Sequence, residues 1–432
     1  MVHPNAAQNM KQKISDLINN CVIKDKWPEF NSIYDHTIAL SKEVSKHYGR
    51  WLKEDTLFDI VYDNIRESLN KKFPENYLAA IETQSDTKEI SGFLKDILGQ
   101  KAVTNLVDSI SDLIASIPRQ YNVYFPLPTV LNLHAKHIIL SDEISFLKFD
   151  KTDTTPTLPK CDEESLVNAL VLLKAGIKKK LEVDTYYIVI KVSGYIHGNI
   201  DDITFIESLS KFKQIMQMGI ILKLFNKTFT TRQRFSYAPR NSLNTIIVDM
   251  EKPNNISSAI QLPNDIVLFA NNITLRLDSR KHLQTLKHDE SAIIGYFKEK
   301  LDIPIKLISA PDENVDAKSI KTAVEWAFDS SLEENETISF IKVCIGLEAI
   351  LGEETGREPL TETLADRCAY LLAKTIGERK EIRKMFRRLY ELRSKIVHGR
   401  TMRLREKERA YLIWGQEILG QVIAKEMSLL KL

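Results

Sequence analysis

The apolar positions of this chain recur with two different periods, and the switches between them divide it into three parts. Over the first 118 residues the period is helical. Ile14, Leu17, Ile18, Cys21 and Val22 form one stripe at helical spacing, and Leu57, Ile60, Val61, Ile65 and Leu69 form another. Ile90, Phe93, Leu94 and Leu98 predict a third helix ending at Gly99. Val107, Ile110, Leu113 and Ile114 predict a fourth, stopped near Pro118.

The texture changes at Tyr121. Residues 121–128 are aromatic, β-branched and punctuated by proline, which predicts an edge strand or an extended connection. Residues 137–140 and 144–149 predict two strands joined by Ser141-Asp142-Glu143, and residues 152–159 a Thr/Pro-rich loop. Residues 186–192 give the best strand pattern in the chain. A helix over 205–224 and short strands at 245–248, 266–269 and 273–277 complete a mixed α/β region.

From Asp316 onward the helical period returns. Ile320, Ala323, Val324, Ala327 and Phe328 make the first stripe. Ile338, Ile341, Ile345, Leu347 and Ile350 make the second, with Gly352 as its terminating C′ glycine. A third helix after Pro359 carries Leu364, Cys368, Leu371 and Leu372. A fourth carries Ile382, Met385, Phe386, Leu389, Leu392 and Ile396 and ends at His398-Gly399. A fifth, over 405–430, carries Leu412, Ile413, Leu419, Val422, Ile423 and Met427. The expected fold is mainly α with a mixed α/β middle region and a C-terminal antiparallel helical bundle. The expected boundaries are 1–118, 119–312 and 313–432, the middle region being sensory or regulatory.

Composition narrows the class. At 432 residues, 43% hydrophobic and 27% charged, the chain has the make-up of a soluble globular protein. Cys21, Cys161, Cys344 and Cys368 are scattered without a Cys-x-x-Cys pair, so zinc knuckles and redox motifs are not expected. Cys344 and Cys368 lie on apolar helix faces and read as core. The first ten residues are polar, and no apolar run reaches the ~18–20 residues of a membrane span. A cytoplasmic protein without a membrane partner is the expectation.

The net charge of +2 hides an asymmetry. Residues 374–409 hold fourteen basic and five acidic side chains, so this stretch carries +9 and the remainder −7. A basic patch on a near-neutral protein is the footprint of a polyanion partner, and it is also what a solvated charged helix face looks like. There is no P-loop for a nucleotide motor, and no His-Glu-x-x-His or EF-hand for a metal. His134 and His137 are too sparse for a metal site. Asp201-Asp202 and Glu353-Glu354 read as solvated acidic turns, and His197-Gly198 as a turn.

Inside the basic stretch runs Leu389-Tyr-Glu-Leu-Arg-Ser-Lys-Ile-Val-His-Gly-Arg400. Arg393 and His398, with four residues between them, suffice in principle for RNA cleavage without a metal. The histidine can take a proton from a ribose 2′-OH, and the arginine can stabilise charge on the phosphate. The spacing is not specific, since Arg276 and His282 come close to it in a strand-like context. Two residues five apart on a helix also lie about 140° apart, so they do not share a face. Arg393 is three residues before Ile396 and borders the apolar stripe, which positions it by packing. The plain alternative is a surface helix end with an incidental histidine.

The context is more specific than the pair. Phe340-Ile-Lys-Val-Cys-Ile-Gly-Leu-Glu-Ala-Ile-Leu-Gly, Leu364-Ala-Asp-Arg-Cys-Ala-Tyr-Leu-Leu and Phe386-Arg-Arg-Leu-Tyr-Glu-Leu-Arg-Ser-Lys-Ile-Val-His-Gly occur in register. Together they resemble the second, third and signature helices of the HEPN superfamily, most closely its Apea-like branch, over roughly the last quarter of the chain. The resemblance implies a metal-independent endoribonuclease without cofactor. It also implies a homodimer, or higher homo-oligomer, in which two signature helices line one cleft. It makes His398 the acid/base, Arg393 the phosphate ligand, Glu348 a supporting acid on the second helix and Ser394 a supporting residue. Ser394 stands where active members often carry Asn, Asp or His. Lys395, Arg400 and Arg403 would hold the RNA backbone, and the ends left would be 2′,3′-cyclic phosphate or 3′-phosphate. An antiviral-defence or toxin effector, controlled by its N-terminal regions and by a phage-derived trigger or an inhibitory partner, is the expected setting. The alternative is a HEPN module that binds RNA or a partner protein without cutting. Tyr390 reads as core.

Overall fold

The computed structural model describes residues 3–25, 27–73, 90–128, 135–149, 185–227, 243–276, 289–311, 313–352, 360–400 and 402–430. The expected loop at 152–159, His134, Cys161, His282, Pro359 and the Glu353-Glu354 pair lie outside these residues. The chain is mostly helical, with an antiparallel sheet in its middle.

The N-terminal helices are α1 (Pro4–Asn20), α2 (Phe30–Tyr48), α3 (Glu54–Lys72), the short α4 (Leu94–Leu98) and α5 (Gln100–Ala115). Ile14, Leu40, Ile60 and Ile110 sit in their common core. Sequence periodicity does not announce α2, because Thr37 falls in its buried stripe. That hydroxyl is kept satisfied by donating to the Ile33 carbonyl at 2.8 Å. The helix expected over 90–98 is corrected. Gly92 has φ +137°, a conformation no helix can contain, and Gly92–Phe93 forms strand β3 instead. It pairs with β1 (Val22–Lys24), which also pairs with β2 (Trp27–Pro28), and Phe93 is exposed.

In the middle region lie β4 (Arg119–Leu127), β5 (His137–Ile139), β6 (Ile144–Lys148) and β7 (Tyr186–Gly194). After them come α6 (Ile203–Ile221), β8 (Phe225–Lys227), β9 (Asn244–Asp249), β10 (Ser258–Gln261), α7 (Asn264–Ala270) and β11 (Ile273–Leu275). Six strands form one sheet in the order β10-β9-β4-β7-β6-β5, every neighbouring pair antiparallel. β4 is therefore interior, not the expected edge. Its proline is tolerated because the β9 ladder runs only from Tyr121 to Tyr124, so Pro126 lies beyond the last pair on that side. Phe205 and Phe212 of α6 pack on Phe125, the latter stacked at 4.7 Å. Residues 266–269 are helical within α7 rather than a strand. A four-residue apolar run fits either state, and Pro263 with Asp265 starts a helix here.

The remaining helices are α8 (Glu290–Ser309), α9 (Val315–Leu332), α10 (Glu336–Leu351), α11 (Leu360–Leu372), α12 (Ile376–Val397) and α13 (Arg409–Leu429). The core of the sheet and α6 is continuous with that of these helices, through residues such as Phe269, Phe328, Val343 and Leu419. The buried side of α10 is Phe340, Val343, Cys344 and Leu347, and Ile338 is exposed. Of the expected stripe, Leu347 is buried and Ile341 and Ile350 pack against the core, while Ile338 is not part of it, because α10 is apolar nearly all round. Ile413, expected in the core of the last helix, is likewise exposed. Gly352 follows α10 with φ −76°, an extended conformation, so it is not the left-handed C′ glycine expected. Cys344 and Cys368 are fully buried, as expected.

The acidic Asp201-Asp202 turn is not solvated at its second residue. Asp202 is buried, and one carboxylate oxygen accepts from the backbone N–H groups of His197, Gly198 and Asn199 at 2.9, 2.9 and 3.0 Å. That clamp sets the loop after β7 against α3. There His197 Nε2 lies 3.0 Å from Asp63, Asn199 donates to Asp59 at 2.7 Å and Thr56 donates to Asp202 at 3.3 Å. Burial is the largest influence on the His197 ring and opposes its protonation. The hydrogen bond and charge of Asp63, with Asp59 and Asp202 behind, together outweigh it, so the pKa is raised above 6.5. A raised histidine adds stability that is complete below the unfolded value and fades as pH rises through the folded one. Thermal midpoints recorded across this range are expected to favour wild type over His197→Gln at acidic pH and to converge at alkaline pH. A constant offset at every pH would contradict the charge linkage.

Candidate functional site

The site is built on α12. The helix starts with a capping box, in which Glu378 N–H donates to the Thr375 hydroxyl and the Glu378 carboxylate accepts from the backbone of Thr375. It is anchored by Phe386, Leu389, Tyr390 and Leu392, all buried. Gly399 ends it with φ +69°. Gly399 N–H donates to Ile396 O at 3.0 Å and Arg400 N–H to Lys395 O at 2.8 Å, the two bonds of a Schellman turn. His398 is thereby fixed as the C-cap residue, exposed at the tip, with φ −86° and ψ 13°.

Arg393 is half-buried and turned toward α10. Its Nη2 lies 3.2 Å from one oxygen of Glu348 and donates to the other at 3.4 Å. Tyr390, one turn earlier, is buried beside them, and its hydroxyl donates to the Cys344 carbonyl at 3.5 Å. Burial raises the Tyr390 phenol well above its ordinary value, and the Glu348 charge adds to this. Arg393, Glu348 and Tyr390 thus form one cluster, of which sequence reasoning named the first two as site residues. The structure does not join Arg393 to His398 within the chain. Arg393 faces Glu348 of α10, and His398 faces solvent.

The cations along α12 are sorted by their partners. Arg383 pairs with Asp366 at 2.6 Å, and Arg387 pairs with Glu362 through two bonds of 2.7 Å, both acids belonging to α11. Arg387 holds the Glu362 carboxyl below the usual carboxylate range. Arg379 lies 4.6 Å from the centre of the Tyr370 ring. Toward the tip Arg393 pairs with Glu348, and other cations there have no such partner among the described residues. Arg388, Lys395, Arg400 and Arg403 are exposed and form no ion pair among the described residues. Ser394 is exposed too, and its carbonyl accepts from His398 N–H at 3.0 Å. Sequence reasoning missed Glu362 and Asp366. Their pairing with Arg387 and Arg383 needs the packing of α11 on α12 to be seen.

A cavity of about 410 Å³ lies at the opposite end of α12, between Leu372, Ile382, Met385 and Trp414, and none of the candidate residues lines it. The tip itself is an exposed, positively charged surface. No helix among the described residues is long and apolar enough to cross a membrane. No protein-family model, no curated protein and no solved structure matches the chain.

Proposed function

We propose that the protein is a HEPN-like endoribonuclease that cuts RNA without a metal ion, at a cleft formed where two copies of the α12 tip meet. The observation that carries this reading is the combination at one helix end of a solvent-facing His398, a positioned Arg393 and a cluster of unpaired cations. A surface of this kind suits a phosphodiester chain, because unpaired cations that neutralise phosphates release the counterions condensed on the nucleic acid. His398 is the base that removes the 2′-OH proton. The freed oxygen attacks the adjacent phosphorus, the bond from phosphorus to the 5′-oxygen breaks, the 5′-oxygen takes a proton from water, and a 2′,3′-cyclic phosphate results. Arg393 stabilises the charge gathering on the phosphoryl oxygens. Glu348 is a positioning residue: it holds the guanidinium at 3.2 Å and keeps the long side chain from sampling other rotamers. A dyad-related copy supplies the second half of each Arg393–His398 pair and so removes the 140° separation. We assign Lys395, Arg400 and Arg403 to backbone contacts and Ser394 to a hydrogen bond at the rim. On this reading the protein is a controlled effector of antiviral-defence or toxin type in the cytoplasm. The regions before α9 hold the nuclease in check until a phage-derived trigger or the loss of an inhibitory partner releases it.

Chelation tests the chemistry. RNA cleavage by the purified protein is expected to proceed at an unchanged rate when EDTA replaces magnesium, with cyclic-phosphate ends. Loss of the chemical step on chelation, restored by added metal, would refute the metal-free mechanism.

One observation favours a second reading, a module that binds RNA or a protein without cutting. Arg393 is already engaged by Glu348 rather than turned toward His398. Under that reading Arg393→Ala weakens RNA binding and no condition yields cleavage. Under the first, the same variant cuts more slowly by about 10²-fold or more.

A further inference from the structure

A second candidate site lies far along the chain from the helix tip, on the N-terminal helices. Between α2 and α3 is a cavity of about 270 Å³, at the small end of the ~300–1,000 Å³ typical of small-molecule sites. Phe30, Tyr34 and Phe58 form its aromatic wall, and Glu54, Asp55 and Asp59 its polar one. No lysine or arginine lines it.

The rings are ordered although they face water. Phe30 and Tyr34 are 54% and 42% exposed, yet they stack with centroids 5.0 Å apart, and Phe30 packs on Phe58 at 5.1 Å. Phe58 stacks in turn on Tyr62 at 6.0 Å. Phe58 and Tyr62 are half-buried and continue the row from the two exposed rings. Aromatic faces carry negative potential, and so do carboxylates, so the two walls select the same ligand charge. Asp59 is the half-buried member. Burial raises its carboxyl pKa, and the Asn199 amide donates to it at 2.7 Å, which fixes one oxygen against the loop after β7. The neighbouring surface already uses cation–ring contact: the Arg66 guanidinium of α3 lies 5.0 Å from the Trp27 ring.

We infer that the cavity between α2 and α3 is a binding site for a small organic cation, an alkylammonium or alkylguanidinium, held by the faces of Phe30, Tyr34 and Phe58 and by the carboxylates of Glu54, Asp55 and Asp59. A neutral ligand would gain no charge attraction from the carboxylates, and an anion would be repelled from both walls. The cavity volume suits one alkyl cation, not a folded chain segment. The site stands apart from the nuclease reading and does not depend on it.

Calorimetric titration of the full-length protein with n-butylammonium and n-butylguanidinium chlorides tests this, with n-butanol as the neutral control. Saturable binding in the millimolar range is expected for the cations, with at least about tenfold weaker binding of the alcohol. Tyr34→Ala removes an exposed ring and is expected to weaken cation binding about three- to tenfold. Glu54→Gln/Asp55→Asn keeps size and is expected to weaken it by a similar factor and to flatten its salt dependence. Equal affinity for cation and alcohol, unchanged affinity in both variants, or no saturable binding of either cation would each overturn the proposal. Both variants alter exposed side chains, and an unchanged thermal midpoint verifies that they fold.

Discussion

Replacing His398 with Ala is expected to reduce RNA cleavage by about 10²–10⁴-fold, the range that general acid–base catalysis contributes. The bundle itself should be untouched. His398 is exposed, its backbone closes the Schellman turn through groups that alanine also possesses, and Gly399 supplies the left-handed residue. Circular dichroism and the thermal midpoint are therefore expected to match wild type while cleavage, followed on a labelled RNA, falls by that factor. Undiminished cleavage by a folded His398→Ala protein would remove the histidine from the chemistry and the reading with it.

The second large effect is on stability. Phe386→Ala is expected to destabilise the bundle by about 3–5 kcal/mol, measured by denaturant unfolding. Phe386 is fully buried, stacks on Tyr390 with centroids 5.1 Å apart and planes 10° apart, and meets the Trp414 ring edge-on at 6.4 Å. Its loss leaves a cavity under the middle of α12, and one helical turn later comes Tyr390, which packs beside the Arg393–Glu348 pair. Cleavage is thus expected to fall together with stability in this variant, in contrast to His398→Ala, where only cleavage falls. A cost under about 1 kcal/mol would mean that the phenylalanine is not the packed core residue described.

The sequence pattern made α12 plain, because polar and apolar positions alternate on it with full helical regularity from Ile382 to Ile396. The resemblance to HEPN helices singled out Arg393, His398 and Glu348, of which the structure brings Arg393 and Glu348 together. The pattern failed where it and the structure part for physical reasons. α10 is apolar over most of its circumference, so periodicity cannot tell Ile338, which is exposed, from Phe340, which is fully buried. β4 looks like an edge because of Pro126, yet neighbouring strands flank its first half on both sides. Asp202 reads as a solvated acid, but its place just before α6 is the N-cap position, where a carboxylate commonly serves backbone N–H groups. Here it serves those of the preceding loop. The sorting of cations along α12 needed the third dimension, since Glu362 and Asp366 lie more than fifteen residues from their arginines in the chain.

Subunit mixing tests the central idea most directly. Arg393→Ala and His398→Ala proteins are each expected to be inactive as homodimers. Allowed to exchange subunits in equal amounts, they are expected to recover about a quarter of the wild-type rate, since half the dimers are mixed and each mixed dimer rebuilds one complete pair of two across the two-fold axis. A mixture no more active than its components, under conditions where wild type cleaves and subunits demonstrably exchange, would contradict a pocket shared between two helix tips.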